Sequence, residues 1–345
     1  MPKILFLLFI WALTVNVAIA QTTFSESRQY TPRELTKKQE KKIKREDRSD
    51  PLREEIIVPV SVKASSTGEY VTGIGAEEFE IFVGDERRDI IGFDASSATP
   101  RNIVFLIDDS PSTMTVAGVL SEILIDMINA LGPRDRSVVA VFNQQVGIIQ
   151  DFTSDKTLLK RAVKNFPLGN GTSVYDTISV FSRNTVKERI YVFLFTDGVD
   201  TTSRRSDFER SLLDVEKGNI TYFPVYIDTS HYAPPTSANI HRTHLPFPIS
   251  VPNMRLGASK KELEIGREYL VNLAEISGGR MNDFTTDPVG RNELVRSVIA
   301  DIRSRYELRI KAPKPSDDIE HHPIKVRVAR PNLTVSAPGS YITGY

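Results

Sequence analysis

The sequence predicts an α/β protein built on a doubly wound, mostly parallel sheet with one antiparallel edge strand, flanked by a small β-rich unit. Three observations carry this. Two continuous apolar runs, "NIVFLID" (102–108) and "RIYVFLFTDG" (189–198), have the composition of strands buried on both faces. Helical periodicities alternate with such runs from residue 102 to residue 305. The runs "SVVAVFN" (137–143) and "VGIIQDF" (146–152) are separated only by Gln144-Gln145, a gap that only a hairpin can bridge, so this pair is antiparallel.

The first element is a targeting signal. Lys3 precedes the apolar run "ILFLLFIWALTVNVAIA", which ends in Ala18-Ile19-Ala20 and predicts cleavage after Ala20. The run is short for a bilayer span and is interrupted by Thr14 and Asn16. The expectation is therefore an exported chain, in a periplasm, on a surface or released, with no stable membrane insertion after cleavage. The chain has no cysteine, which excludes disulfides, thiol catalysis and zinc–thiolate sites. Its 44 basic residues balance 44 acidic ones, so net charge draws it to neither nucleic acid nor membrane.

Residues 21–54 read as a charged flexible tether, because "TKKQEKKIKREDR" cannot bury enough surface to offset its ordering entropy. Residues 55–99 read as a small β-rich domain and its linker, with "EIIVPVSVKA" and "EEFEIFVGDERRDIIGF" punctuated by glycine turns. Residues 100–305 form the α/β domain. After the strand at 102–108, "VLSEILIDMINAL" (119–131) has helical spacing and stops at Gly132-Pro133. "TSDKTLLKRAVKNF" reads as a helix capped by Thr153 or Ser154. The glycine-rich "LGNGTS" opens the helical "VYDTISVFS". Helices are expected near 206–217, 261–277 and 291–305, with a strand at 220–228. Residues 229–258 hold five prolines (Pro234, Pro235, Pro246, Pro248 and Pro252) and read as an inserted surface loop. Residues 306–345 return to strands, expected to pack with 55–99.

Oxygen-bearing side chains gather at predicted strand ends, where open α/β sheets bind ligands. Asp108, Ser110 and Ser112 follow the first buried strand, Asp197 follows the second, and Thr172 opens a helix between them. All five offer oxygen, which suits a hard dication: Mg2+, or Ca2+ or Mn2+. Two carboxylates would nearly neutralise it, and hydroxyls add no charge. "DDSPS", Thr172 in "GNGTS" and "FTDG" resemble the three parts of the metal-ion-dependent adhesion site of von Willebrand factor A domains. The flanking β segments resemble those of a bacterial exported group of such proteins, the acidobacterial type.

That resemblance implies the Rossmann-like fold of these domains, a metal shell of Asp108, Ser110, Ser112, Thr172 and Asp197, and a protein ligand that supplies a carboxylate to the metal. In the family one or both aspartates often act through water, and ligand capture can couple to a shift of the last helix, here 291–305. Two departures stand out: Pro111 replaces a common glycine, and Asp109 adds a third acid, expected to face solvent or a backbone amide. Asp200 is expected to act behind the site or to cap a helix.

Enzymatic readings fare worse. A haloacid-dehalogenase-type phosphatase needs an acid where Ser110 stands, and "DDSPS" lacks the glycines of a hydrolase nucleophile turn. The histidines, His231, His241, His244, His321 and His322, lie in the proline-rich loop or between C-terminal strands. The expectation is a non-enzymatic adhesion protein. The alternatives are a scaffold of a cell-envelope assembly that binds through loop 229–258, and a metal-dependent hydrolase.

Overall fold

A computed structural model describes residues 54–95, 99–164, 169, 171–183, 189–232, 258–314 and 319–343. The signal, nearly all of the tether and most of loop 229–258 lie outside the described residues.

Strands β1 (Glu55–Ala64), β2 (Phe79–Val83), β3 (Glu86–Arg88) and β4 (Gly92–Asp94) come first. The α/β unit then runs β5 (Asn102–Asp108), α1 (Ala117–Ala130), β6 (Arg136–Phe142), β7 (Val146–Thr153), α2 (Lys156–Ala162), α3 (Val174–Arg183), β8 (Ile190–Thr196), α4 (Phe208–Lys217), β9 (Ile220–Tyr226), α5 (Lys260–Ser277), β10 (Asn282–Asp283) and α6 (Pro288–Arg303). Four strands follow: β11 (Tyr306–Lys311), β12 (Glu320–Val328), β13 (Leu333–Ser336) and β14 (Ser340–Thr343).

The central sheet has the order β10-β9-β8-β5-β6-β7, with only β7 antiparallel. Alternation explains why its strands are apolar throughout. Ile103, Phe105 and Ile107 of β5 face one layer with Leu120 and Ile123 of α1 and Val298 of α6. Val104 and Leu106 face the other, with Ile178 of α3, Leu212 of α4 and Leu273 of α5. The β6–β7 turn is held by Asn143 Oδ1, which accepts from Gln144 N and Gln145 N at 2.5 and 3.2 Å. Two register shifts in this pair bulge β7, which twists an otherwise exposed edge away from foreign strands.

Three elements differ from the sequence expectation. Helix α2 is capped by Asp155, whose carboxylate accepts from Thr157 N at 2.7 Å; Thr153 is still paired with Ser137 in β7, so the helix cannot begin sooner. Helix α6 starts at Pro288, because Asp287 caps it and proline has no amide to lose there. Strand β10 has two residues, too few for any periodicity to reveal.

The flanking strands form two four-stranded sheets, β13-β1-β11-β4 and β14-β12-β2-β3. They share a core of Val58, Val60, Ile81, Leu308 and Ile310 around Phe79, Phe93 and Tyr306, whose rings stand 5.0–5.9 Å apart. Buried polar contacts join this sandwich to the α/β unit. Glu307 accepts from Arg101 at 2.8 Å and from the Tyr191 hydroxyl at 2.5 Å. Arg189 donates to the Ile57 carbonyl and, at 2.9 Å, to Thr221 Oγ1.

Candidate metal centre

The two carboxylates stand where the sheet's winding reverses. From β5 the chain passes to β6 on one side and later to β8 on the other, leaving a crevice beyond their carboxyl ends. Asp108 is the last residue of β5, and Asp197 immediately follows β8. Both are buried. Asp108 Oδ1 accepts from Ser110 N at 2.9 Å, and its Oδ2 accepts from Thr196 Oγ1 at 2.6 Å. Asp197 Oδ1 accepts from Val199 N at 3.0 Å, and its Oδ2 accepts from Ser112 Oγ at 3.0 Å and Thr229 Oγ1 at 2.9 Å. Ser110 Oγ lies 3.2 Å from Ser112 Oγ. Asp108, Ser110, Ser112 and Asp197 thus form one contiguous group.

Thr172 is brought to this group by backbone rather than by its hydroxyl. Its carbonyl accepts from Thr201 N and Thr202 N at 2.8 and 3.0 Å, and its amide donates to Thr201 Oγ1 at 2.9 Å. These bonds seat it against the turn that follows Asp197. On the other side, Gly169 N donates to the Asp109 carbonyl at 2.9 Å and Ser173 N to the Asn143 carbonyl at 2.7 Å. No hydrogen bond among the described residues joins Thr172 Oγ1 to the other four side chains.

Asp109 does not face solvent. It is fully buried; Oδ2 accepts from Asn143 Nδ2 at 3.2 Å, while Oδ1 faces Gly169 and has no hydrogen-bond partner among the described residues. The outward path is closed because Gly169 lies against it. Asp200 is a cap: Oδ2 accepts from Tyr175 N in the first turn of α3 at 3.1 Å, and Oδ1 from Ser203 N at 3.1 Å.

The sequence reading missed three supporting hydroxyls. Thr196 links Asp108 to Gly198 N, and Thr113 donates to the Asp108 carbonyl at 2.7 Å or to that of Ser110 at 3.0 Å. Thr229 holds Asp197 from beyond the neighbouring strand. Thr196 and Thr113 lie inside or beside the quoted motifs. Thr229 had one available signal, a hydroxyl just past the carboxyl end of the adjacent strand.

Burial, and then the charge of Asp197, push the Asp108 carboxyl up to about 8; burial also raises Asp197. Among the described residues neither has an ion-pair partner. Hydroxyls and amides can orient two buried carboxylates but cannot neutralise them. The donor set therefore fits a hard dication held by oxygen. No group of three or more His, Asp or Glu arranged for metal binding exists among the described residues, so this mixed acid–hydroxyl group is the candidate.

This predicts the pH response of the metal-free protein. Both carboxyls are raised above the 3.8 of an ordinary aspartate. The folded chain therefore binds protons more tightly than the unfolded chain, and stability falls as pH rises. The part due to Asp108 is lost between about pH 4 and about pH 8, and amounts to a few kcal/mol in order of magnitude. Melts in EDTA are expected to drop across this window and to recover with excess Mg2+; equal melting temperatures at both ends would refute the strained pair.

Packing behind the site is tight. Gly198 has φ +76°, and a Cβ there would lie 2.6 Å from the Gly266 carbonyl oxygen; a Cβ on Gly266 would lie 2.8 Å from that of Asp197. Helix α5 thus presses its backbone directly on the Asp197 turn. Gly266→Ala is expected to cost about 1–3 kcal/mol and to weaken Mg2+ binding by displacing Asp197. Thermal melts and Mg2+ calorimetry check this, and an unaltered affinity would show that the turn yields freely.

The α/β unit has the doubly wound, mostly parallel sheet with one antiparallel edge that the resemblance of its motifs to von Willebrand factor A domains implies.

No family model and no curated protein matches the sequence. Similar solved structures include a von Willebrand factor type A protein from Catenulispora acidiphila. It is 12% identical, covers 86% of this chain and 75% of its own, and has a TM-score of 0.42. The conserved hypothetical protein BatB from Bacteroides thetaiotaomicron is 14% identical, covers 59% of this chain and 100% of its own, and has a TM-score of 0.45. Proximal thread matrix protein 1 from the mussel byssus, with a zinc-occupied metal-ion-dependent adhesion site, is 15% identical, covers 65% of this chain and 50% of its own, and has a TM-score of 0.43. Likeness at this level says nothing of activity or partner.

Proposed function

We propose that this chain is an exported, non-enzymatic binding protein that holds a divalent cation and captures a protein partner through one of the partner's acidic side chains. The supporting observation is the buried Asp108–Asp197 pair, which is lined by hydroxyls and, among the described residues, has no cationic partner. Asp108 and Asp197 would hold Mg2+, or Ca2+ or Mn2+, with Ser110, Ser112 and Thr172 adding neutral oxygens. The bound ion would supply Lewis acidity toward an external carboxylate. Thr196, Thr229 and the amides of Ser110 and Val199 fix the two carboxylates in orientation, so little side-chain freedom remains to be lost on binding.

A binding role is favoured over hydrolysis because, among the described residues, neither Ser110 nor Ser112 is hydrogen-bonded to a histidine that could act as base; their side-chain partners there are each other, Thr113 and Asp197. Export rests on the predicted signal, and among the described residues no helix is long and apolar enough to cross a membrane.

Capture from envelope extracts tests the proposal. Partner recovery is expected with Mg2+ and lost in EDTA. The same proteins recovered equally under both conditions would remove the metal from the binding step.

A further inference from the structure

We infer, resting on the capture function just proposed, that the site selects an acidic polypeptide whose charge extends to one side only of the metal-binding residue, and that Arg204 and Arg205 read that flank. Both arginines are exposed, and neither has an ion-pair partner among the described residues. They sit on the same loop as Asp197, two and three residues beyond Thr202, which is bonded to Thr172. At no more than about 3.4 Å per residue, the Arg204 backbone lies within ~10 Å of Thr201 at the rim. An extended ligand advances ~3.3 Å per residue, so a guanidinium there meets side chains roughly two to four positions from the metal-bound acid.

The loop is stiffened in a way that leaves the guanidiniums outward. Asp176 takes the backbone amides of Arg204, Arg205 and Ser206 at 3.0, 2.9 and 2.7 Å. The acid in contact with this stretch thus spends its oxygens on amides rather than on the guanidiniums. Ser173 bonds Thr202 at 2.7 Å and Ser179 bonds Ser206 at 2.6 Å, fastening the rest of the loop to α3. Two long cationic side chains are thereby presented from a backbone that needs no ordering on binding.

The rim just past the end of β9 has the opposite sign. Asp228 is exposed and immediately precedes Thr229, the residue that holds Asp197. The Ser230 amide, 2.9 Å away, holds the Asp228 carboxyl below the usual range, so it stays anionic. A ligand acidic on both flanks would gain at the arginines and lose at Asp228.

Fluorescence anisotropy with the full chain in Mg2+ tests this with four labelled nine-residue peptides. Each has a central aspartate in a Gly/Ser background, with no other acid, two glutamates before it, two after it, or both. One of the one-sided peptides is expected to bind roughly five- to tenfold tighter than the plain one, the worth of one or two exposed ion pairs. The two-sided peptide should fall below it. The advantage should shrink in about 0.5 M salt and vanish in Arg204→Ala/Arg205→Ala, whose Mg2+ calorimetry should match the native chain. Equal affinities for all four peptides, or a preference that survives the double substitution, would overturn the inference and leave metal-dependent capture standing. Binding insensitive to EDTA, or no binding of any peptide in Mg2+, would overturn the capture reading and the inference with it.

Discussion

Asp108→Asn is expected to abolish the heat of Mg2+ binding and, at about pH 8, to raise the melting temperature of the metal-free protein. The two effects share one cause. Asp108 is fully buried beside Asp197, with no cation among the described residues to offset either charge, and its carboxyl is pushed up to about 8. Asparagine keeps the acceptor for Ser110 N and removes the charge that opposes Asp197. Its amide nitrogen would face Thr196 Oγ1, which must turn its hydrogen elsewhere, at about 1 kcal/mol. Relief of two buried like charges is worth more, on the order of a few kcal/mol. Loss of one of only two anionic ligands should weaken the metal by at least the 10–100-fold that outer-shell changes cause. At about pH 5, where the native pair already carries a proton, the stabilisation should nearly disappear. Calorimetry and melts at both pH values decide it; undiminished Mg2+ heat would remove Asp108 from the metal shell.

Arg305→Ala is expected to cost about 3–5 kcal/mol, because it strands a buried aspartate. Arg305 is 1% exposed. Its Nε donates to Asp301 Oδ1 at 2.8 Å, a second nitrogen donates to the Gly278 carbonyl, and the guanidinium lies 5.0 Å from the Phe223 ring centre. One side chain thus ties the end of α5, the last turn of α6 and strand β9 together, just before β11 enters the sandwich. Among the described residues, truncation leaves Asp301 a single ion-pair partner, Arg280 at 3.6 Å, and opens a cavity. A fall of roughly 10 °C in melting temperature should follow. Arg305→Lys should rescue little, since one ammonium cannot reproduce a planar fork that serves a carboxylate and a carbonyl together. A change within about 2 °C for Arg305→Ala would show that the junction carries no stability. The same bonds bear on the helix shift that the family resemblance implies: any displacement of α6 along its axis must carry Asp301 away from Arg305 or drag β11 with it.

Much of the fold was legible because its signals are local. The run at 102–108 is β5 residue for residue, since a strand buried on both faces needs no alternation and reads as a block. Gln144-Gln145 forces the β6–β7 hairpin by chain length alone. The cap of α2 was misread because Thr153, Ser154 and Asp155 are all competent caps, and the choice was made by the pairing of Thr153 across to Ser137. At the candidate site, the five oxygens announced themselves by type and by position at strand ends. Thr229 did not, because its role depends on β9 lying beside β8, which no local pattern states.

Residue chemistry and spacing alone determined a mostly parallel α/β unit and pointed to hard-oxygen side chains on three loops, since periodicity, breakers and ligand type are properties of short stretches of chain. Only the tertiary structure decided that Asp109 turns inward toward Asn143, that Asp197 is held by Thr229, and that α5 presses Gly266 on the Asp197 turn. Each of these depends on contacts between segments far apart in the sequence, and such contacts are chosen by packing of the whole core.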